Sequence, residues 1–180
     1  MSKPHRSAPT LETERLRLRE WRKDDREDYW ALLEEPAVYR YFGPEPASRE
    51  ENWRRMVAAV GSWTINGFGG WAVERKSDSR LIGMCAVFTA FRALEPDFGD
   101  DPEMGWIFAT ETHGQGYAGE ACRAALEWID ANLQPVPVWA IISPENAASI
   151  RLAERLGFEH HNRSTYHDEP ILVLKRPARH

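Results

Sequence analysis

Short alternating segments and longer segments with helical spacing divide this chain into recognisable elements. Leu16 and Leu18 alternate with arginines, which is the pattern of a half-buried strand. The apolar segments 68–75 and 81–88 flank the polar turn 76–79 and predict an antiparallel hairpin. Steps of three or four between apolar residues predict one amphipathic helix, whose buried face carries Ala118, Cys122, Ala125, Ile129 and Leu133.

Across the whole chain, the pattern predicts seven strands and four helices in a single α/β domain with a strongly twisted sheet. Pro36 ends the first helix, a glycine at 61 closes the second, and Ser143 and Gly157 cap the fourth. The predicted strands are 11–21, 68–75, 81–88, 103–109, 136–142, 158–164 and 170–175. The predicted helices are 24–35, 48–61, 118–133 and 144–156.

Composition fits this assignment and limits the function. The chain has 180 residues, 42% of them hydrophobic, which is enough for one domain with a buried core. We expect that domain at 11–176, with a disordered tail at 1–10 and a short tail at 177–180. The net charge of −5 argues against a nucleic-acid partner, because phosphate contacts need a basic face. No apolar segment approaches the length of a membrane helix or a secretory signal, so we expect a cytoplasmic protein with no membrane partner.

The cysteines and histidines give no indication of a metal site. Cys85 and Cys122 are 37 positions apart and form no C-x-x-C pair, which argues against a disulfide framework or a zinc knuckle. The six histidines include no H-x-x-x-H spacing. We therefore expect no metal.

A glycine-rich turn before the third helix is the first candidate site. Gly114, Gly116 and Gly119 allow a ligand to approach the backbone closely, and the amino end of the following helix suits phosphate. The spacing fits an ordinary strand-to-helix turn equally well. A P-loop is excluded because no Gly-Lys-Ser/Thr is present, and the spacing is poor for a dinucleotide fingerprint.

A second candidate lies at the start of the fourth helix. Asn146, Ser149 and Ala153 are spaced by three and four residues, so they share one helix face. Taken alone, Asn146 is more typical of a polar first-turn residue, and Ser149 of a solvent-facing one.

Together these segments resemble the GNAT superfamily of acyl-CoA-dependent N-acetyltransferases, and within it the RimJ/RimL-type branch of ribosomal-protein N-terminal acetyltransferases. The resemblance covers about 11–176 and implies a GNAT-like domain with a mostly antiparallel sheet flanked by helices. The matching segments, in the order of the family, are LETERLRLR (11–19), LIGM (81–84), EMGW (103–106), GQGYAGEA (114–121), PENAASIR (144–151) and ERLGF (154–158).

The resemblance implies that the glycine turn binds the pyrophosphate of acetyl-CoA. The family pattern Q/R-x-x-G-x-G/A falls on His113, Gly116 and Ala118, and the histidine departs from the usual Gln or Arg. A strand bulge near 106–109 is expected to splay the sheet, so that the pantetheine arm pairs like an added strand. The implied coenzyme-binding residues are Ile107, Phe108, Ala109, His113, Gly114, Gln115, Gly116, Tyr117, Ala118, Gly119, Asn146 and Ser149.

The catalytic groups depart from the family pattern. Many members carry a tyrosine as general acid for the leaving thiolate, and that position is Ala153 in this chain. Ser149, one turn earlier on the same face, is the candidate replacement, and Tyr166 is a more remote one. Glu103 begins its strand as the only charge, where a carboxylate can relay a proton from an amine; a solvated strand-end charge is the alternative.

The function expected is acetyl transfer from acetyl-CoA to a primary amine by direct attack in a ternary complex. At pH 7, deprotonation costs ~1 kcal/mol for an α-amine and ~4.6 kcal/mol for a lysine, so a weak base favours a peptide or protein N-terminus. Five acids between 95 and 103 favour a small cationic amine as the other acceptor class. A non-catalytic acyl-CoA-binding module and a nucleotide-binding domain are the alternatives, and both monomer and homodimer stay open.

Overall fold

One continuous sheet runs through the computed structural model, which describes residues 6–179. Its strands are β1 (Leu11–Glu12), β2 (Leu16–Arg19), β3 (Gly70–Arg75), β4 (Arg80–Phe88), β5 (Glu103–Phe108), β6 (Val138–Ile142), β7 (Glu159–Tyr166) and β8 (Glu169–Arg176). Their order across the sheet is β1-β2-β3-β4-β5-β6-β8-β7. Every neighbouring pair is antiparallel except β5 and β6, which are parallel. The predicted single α/β domain with a mostly antiparallel sheet is confirmed.

Helices cover both faces of the sheet. They are α1 (Arg26–Leu33), α2 (Pro36–Tyr39), α3 (Arg49–Asn66), α4 (Tyr117–Asn132) and α5 (Ala147–Arg155). The apolar sides of α4 and α5 share one core cluster with Met104 and Phe108 of β5. On the other face, α1 and α3 pack against Ala72 and Leu81. Within residues 6–179, no helix has the length and hydropathy needed to cross a bilayer.

The end of α3 differs from the prediction. The helix begins as expected, because Ser48 and Glu51 form a reciprocal capping box. It does not close at Gly61, however, but continues to Asn66 and ends at Gly67, whose φ is +79°. A glycine inside a helix costs only about 1 kcal/mol, and the extra turn buries Trp63. Burial of this large side chain therefore outweighs the local helix-breaking signal.

Three other boundaries also differ. Pro36 does not simply end α1 but occupies the first position of α2, where its missing N–H is not needed. The fourth predicted helix starts at Ala147 instead of 144, because Asn146 and not Ser143 is its N-cap. The first predicted strand divides into β1 and β2, which pair with each other as a hairpin.

The segment before β1 is attached to the core. Ala8 is buried among the residues that pack under α4, and the carbonyl of Pro9 accepts a hydrogen bond from the Trp71 indole at 2.9 Å. The sequence predicts a disordered tail over 1–10; residues 1–5 lie outside the described range, as does 180 of the C-terminal tail. From residue 8 onward the chain makes specific contacts with the domain.

A buried ion network joins β2, β3 and the turn before α1. Arg19 donates hydrogen bonds to both carboxylate oxygens of Asp25 at 2.8 Å, and its Nε donates to Glu74 at 2.8 Å. All three side chains are more than 90% buried. Removing one partner from a buried pair leaves an uncompensated charge, so this network is sensitive to truncation.

We expect Arg19→Leu to lower the free energy of unfolding by about 3–5 kcal/mol in urea titrations, because Asp25 then loses its cation in the interior. Arg54→Ala is the matched control. It breaks the exposed ion pair with Glu50 on α3 and should cost no more than about 0.5 kcal/mol. Equal losses in the two variants would show that the buried ion network stabilises the fold no more than an exposed ion pair does.

Candidate functional site

The sheet opens between β5 and β6. These parallel neighbours share one register pair, Glu103 with Trp139, next to a hydrogen bond from the Trp139 N–H to the Pro102 carbonyl at 2.8 Å. Beyond that point β5 follows β4, β6 follows β8, and the two strands diverge. The result is a gap that widens toward the carboxyl ends of both strands.

The gap does not come from the bulge that the resemblance implies near 106–109. All six residues of β5 pair one for one with β4, from Glu103 opposite Phe88 to Phe108 opposite Gly83. The opening therefore arises from the divergence of β5 and β6. The N–H of Ala109 points to the Ile82 carbonyl on β4. Because the N–H and C=O groups of successive residues point to opposite sides of a strand, those groups of Trp106 and Phe108 point away from β4 and face the gap.

The glycine turn leads directly into α4 with its amides exposed. Gly114 and Gly116 have φ values of +74° and +82°, a conformation that side chains rarely adopt. The first i→i−4 bond of α4 is donated by Glu120 to the Gly116 carbonyl. The N–H groups of Tyr117, Ala118 and Gly119 precede it and have no helical acceptor, at the positive end of the helix dipole. Such a helix start binds phosphate.

An ion pair holds this turn against the start of the domain. The Nε of Arg15 donates to Glu120 at 2.7 Å, its Nη1 donates to the Gln115 carbonyl at 2.9 Å, and its guanidinium lies over the Tyr117 ring. Glu120 also accepts bonds from the Thr13 hydroxyl at 2.6 Å and the Arg15 N–H at 2.8 Å. Burial alone would raise the pKa of Glu120, but these bonds outweigh burial and hold the pKa below its ordinary value.

A basic cavity of about 330 Å³ lies at the amino end of α4. Its lining residues are Glu14, Arg15, Gly116, Gly119, Glu120, Arg123 and Arg155. Among residues 6–179, neither Arg123 nor Arg155 has a carboxylate partner. A signal for Arg123 is visible in the sequence, since it follows Gly116 and Gly119 by seven and four residues on one helix face. Arg155 carries no such signal, because only the fold brings α5 to this cavity.

Several of the predicted coenzyme-binding side chains are used locally. The ring of His113 lies 2.9 Å from the Phe108 carbonyl, and the Gln115 amide donates to the Glu111 carbonyl at 2.6 Å. Asn146 accepts the Ser149 N–H at 3.1 Å and caps α5. Ile107 packs on the α1–α3 face of the sheet. The side chains of His113 and Gln115 therefore support the glycine turn, and the turn presents its backbone groups outward.

Glu103 is a buried ion-pair partner and not a solvated strand-end charge. Both of its carboxylate oxygens accept bonds from Arg92, at 2.7 and 3.0 Å. The guanidinium of Arg92 in turn lies 4.7 Å from the centroid of the Tyr166 ring. Both carboxylate oxygens of Glu103 are therefore occupied by the Arg92 guanidinium. Tyr166 joins this cluster through its contact with Arg92.

Of the five acids between 95 and 103, one is neutralised by an ion pair and two accept local hydrogen bonds. Asp101 accepts a bond from the Trp139 indole at 3.1 Å, and Asp97 accepts the Gly99 N–H at 2.9 Å. Glu103 is paired with Arg92. Glu95 and Asp100 are exposed. The negative charge available to a cationic acceptor is therefore smaller than the sequence suggests by one carboxylate, that of Glu103.

Ser149 lies on α5 opposite β5. Its Oγ accepts a hydrogen bond from the indole Nε1 of Trp106 at 3.3 Å. Ala153, one turn later, is completely buried in the core beneath α5. Within residues 6–179, no three His, Cys, Asp or Glu side chains are grouped closely enough to hold a metal ion.

Comparison with known proteins identifies the family. A family model described as Acetyltransferase (GNAT) domain matches residues 15–159. The chain is 30% identical over 175 residues to the uncharacterised protein YkkB of Bacillus subtilis, covering 93% of this chain and 95% of the relative. It is 27% identical to p20 of Bacillus licheniformis, named an uncharacterised N-acetyltransferase, covering 83% and 82%. An acetyltransferase structure from Agrobacterium tumefaciens superposes with a TM-score of 0.79 at 27% identity, covering 94% of both chains.

More distant structures share the fold. One is a ribosomal-protein-S5-alanine acetyltransferase from Vibrio fischeri, with a TM-score of 0.70 at 18% identity over 95% of this chain and 97% of the other. Another is AAC(6')-Ib in complex with Parmomycin and AcetylCoA, with a TM-score of 0.74 at 16% identity over 91% of this chain and 94% of the other. This chain belongs to the GNAT acetyltransferase family, in the RimJ/RimL-type branch, and is an N-acetyltransferase. Family membership favours the enzyme over the two alternatives.

We expect Glu120→Gln to lower the free energy of unfolding by about 1–2 kcal/mol at pH 7, because the charged bonds to Arg15 are lost. The folded pKa of Glu120 is lowered, so its contribution is present above the ordinary carboxylate pKa and lost as pH falls through the folded value. The difference from the unsubstituted protein should therefore shrink below about pH 4.3. Glu127→Gln is the matched control, because it removes an exposed carboxylate from the same helix, α4. A difference independent of pH would contradict this assignment.

Proposed function

We propose that this acetyltransferase passes the acetyl group of acetyl-CoA directly to a low-pKa primary amine in a ternary complex. The observation that carries the proposal is the position of the open amides of α4, which lie beside the widening gap between β5 and β6. A phosphate-binding helix start next to exposed strand edges suits a long ligand with a pyrophosphate and an amide-containing arm. Acetyl-CoA has both features, and AAC(6')-Ib, which shares the fold, is described as binding it.

In this arrangement the amides of Gly114 to Gly119 would hold the pyrophosphate. Arg15, Arg123 and Arg155 would offset the charge of the phosphates around the same cavity. The N–H and C=O of Trp106 and the N–H of Phe108 face the gap and are available to the pantetheine amides, whereas the Phe108 carbonyl contacts the His113 ring. Asn146 and Ser149 approach from α5, on the opposite side of the gap.

The chemistry would depend mainly on positioning. Strand amides that face the gap can stabilise the oxyanion formed as the amine attacks the thioester carbonyl. Ser149 is the proton donor for the leaving thiolate. Removal of the amine proton falls to Glu103 or to water, and the bidentate bond from Arg92 to both Glu103 carboxylate oxygens favours water.

The paired state of Glu103 also bears on the acceptor. Without a strong free base, the amine must reach the site in its neutral form, at a cost of ~1 kcal/mol for an α-amine and ~4.6 kcal/mol for a lysine at pH 7. The preferred acceptor is then the α-amine of a peptide or protein N-terminus. A small cationic amine is the second class, supported by the exposed Glu95 and Asp100.

Gly116→Val should abolish acetyl-CoA binding in calorimetry, because the branched side chain fills the space in front of the open amides and disfavours the positive φ. Gly99→Val is the matched control. Gly99 also has a positive φ, +55°, but lies in the loop before β5, so this variant carries similar backbone strain and should bind acetyl-CoA normally. Normal affinity in a folded Gly116→Val protein would refute the placement.

Thiol release from acetyl-CoA at pH 7 should be roughly 400-fold faster with a peptide bearing a free α-amine than with an Nα-blocked peptide bearing one lysine. The rate for the free α-amine should rise with pH and level near its pKa of about 7.7, whereas the rate for the lysine should keep rising to about 10.4. Equal rates at pH 7 would mean that a group in the site deprotonates the acceptor.

A further inference from the structure

Trp106 lies at the point where β5 and β6 have separated. It is three residues beyond the single register pair of Glu103 with Trp139, and its side chain projects to the face covered by α4 and α5. Its indole Nε1 donates to the Ser149 Oγ at 3.3 Å. This bond joins β5 to the first turn of α5 across the gap, and no role is assigned to it by the GNAT resemblance or by the coenzyme site.

The chemistry of the two groups fixes the direction of the bond. An indole N–H is a donor only, whereas a hydroxyl donates one hydrogen bond and accepts two. Trp106 therefore donates, Ser149 accepts, and the hydroxyl proton is left for another partner. Within the described part of the chain, 6–179, that proton has no acceptor. The half-buried position of Ser149 places it where a ligand in the gap can reach it.

The rest of Ser149 is held in place as well. Its backbone N–H donates to the Asn146 side chain at 3.1 Å, which fixes the first turn of α5. A serine in a helix otherwise tends to turn its hydroxyl back to a carbonyl of the preceding turn. The indole bond favours the rotamer in which Oγ faces β5 instead. Asn146 and Trp106 thus fix the backbone and the side chain of the same residue.

We propose that Trp106 is a positioning residue, which holds the Ser149 hydroxyl with its proton directed at the sulfur that leaves during acetyl transfer. This inference rests on the proposed function. As the C–N bond forms and the C–S bond breaks, the hydroxyl passes its proton to the thiolate and takes one from solvent water, while the acylated amine releases its own proton to water. The products are the N-acetylamine and the free thiol of coenzyme A, and the serine is unchanged.

The test is a double-mutant cycle on thiol release. Trp106→Phe keeps an aromatic ring at this position but replaces the indole by a smaller phenyl ring without the N–H. The kcat should fall about fivefold, the equivalent of one hydrogen bond, while the Kd for acetyl-CoA stays unchanged. Ser149→Ala should lower kcat by about tenfold. When Trp106→Phe is added to Ser149→Ala, kcat should not fall further, because the indole acts only through the hydroxyl.

Trp71→Phe is the control for loss of an indole hydrogen bond, since the Trp71 N–H donates to the Pro9 carbonyl in the core, and its kcat should be normal. The proposal is overturned if Trp106→Phe lowers kcat equally with and without Ser149→Ala, if it changes Kd instead of kcat, or if Ser149→Ala leaves kcat unchanged. Failure of the proposed function is distinguishable, because the unsubstituted protein would then release no thiol with any amine, which would overturn both.

Discussion

The single register pair between β5 and β6 is the constraint on which the site depends. A sheet normally satisfies its backbone groups by pairing along the full length of neighbouring strands. In this protein β5 pairs fully with β4, and β6 pairs fully with β8, so the peptide groups between β5 and β6 are left without strand partners beyond Glu103 and Trp139. The same divergence brings the amino ends of α4 and α5 to the mouth of the opening. The proposed ligand-binding backbone and the proposed proton donor, Ser149, would thus both follow from one irregularity in an otherwise regular sheet.

The two sides of this opening differ in charge: within residues 6–179, one side carries unpaired arginines, and the other carries acidic residues. On the α4 side, Arg123 and Arg155 have no carboxylate partners among the described residues, and the cavity that they line is positive. On the opposite side of the sheet, Arg92 neutralises Glu103, and Asp101 and Asp97 are held by local hydrogen bonds. The proposed anionic coenzyme would therefore bind on the side that carries Arg123 and Arg155.

The sequence predicts most of the fold because its strands and helices carry strong local patterns. The hairpin of β3 and β4, the strand β5 and the glycine turn are all readable from hydrophobic periodicity and glycine spacing. One error occurs where a distant contact overrides a local signal, and another where two local signals compete. Burial of Trp63 extends α3 past Gly61, whereas the Asn146 side chain accepts the Ser149 N–H and displaces the Ser-Pro start of α5. Arg155 could not be assigned to the site, because only the fold brings α5 to the cavity at the amino end of α4. The pairing of Arg92 with Glu103 likewise depends on how the loop before β5 folds.

The contact among Trp63, Trp71 and Trp128 has an optical consequence. Their ring centroids lie 4.8–5.7 Å apart in edge-to-face pairs, and they belong to α3, β3 and α4. Indoles this close exchange excitation energy and couple their electronic transitions. The near-ultraviolet circular dichroism therefore contains a signal from the place where α3, β3 and α4 meet. Because α4 carries both Trp128 and the glycine turn at its other end, displacement of that helix from the sheet is visible without any added label.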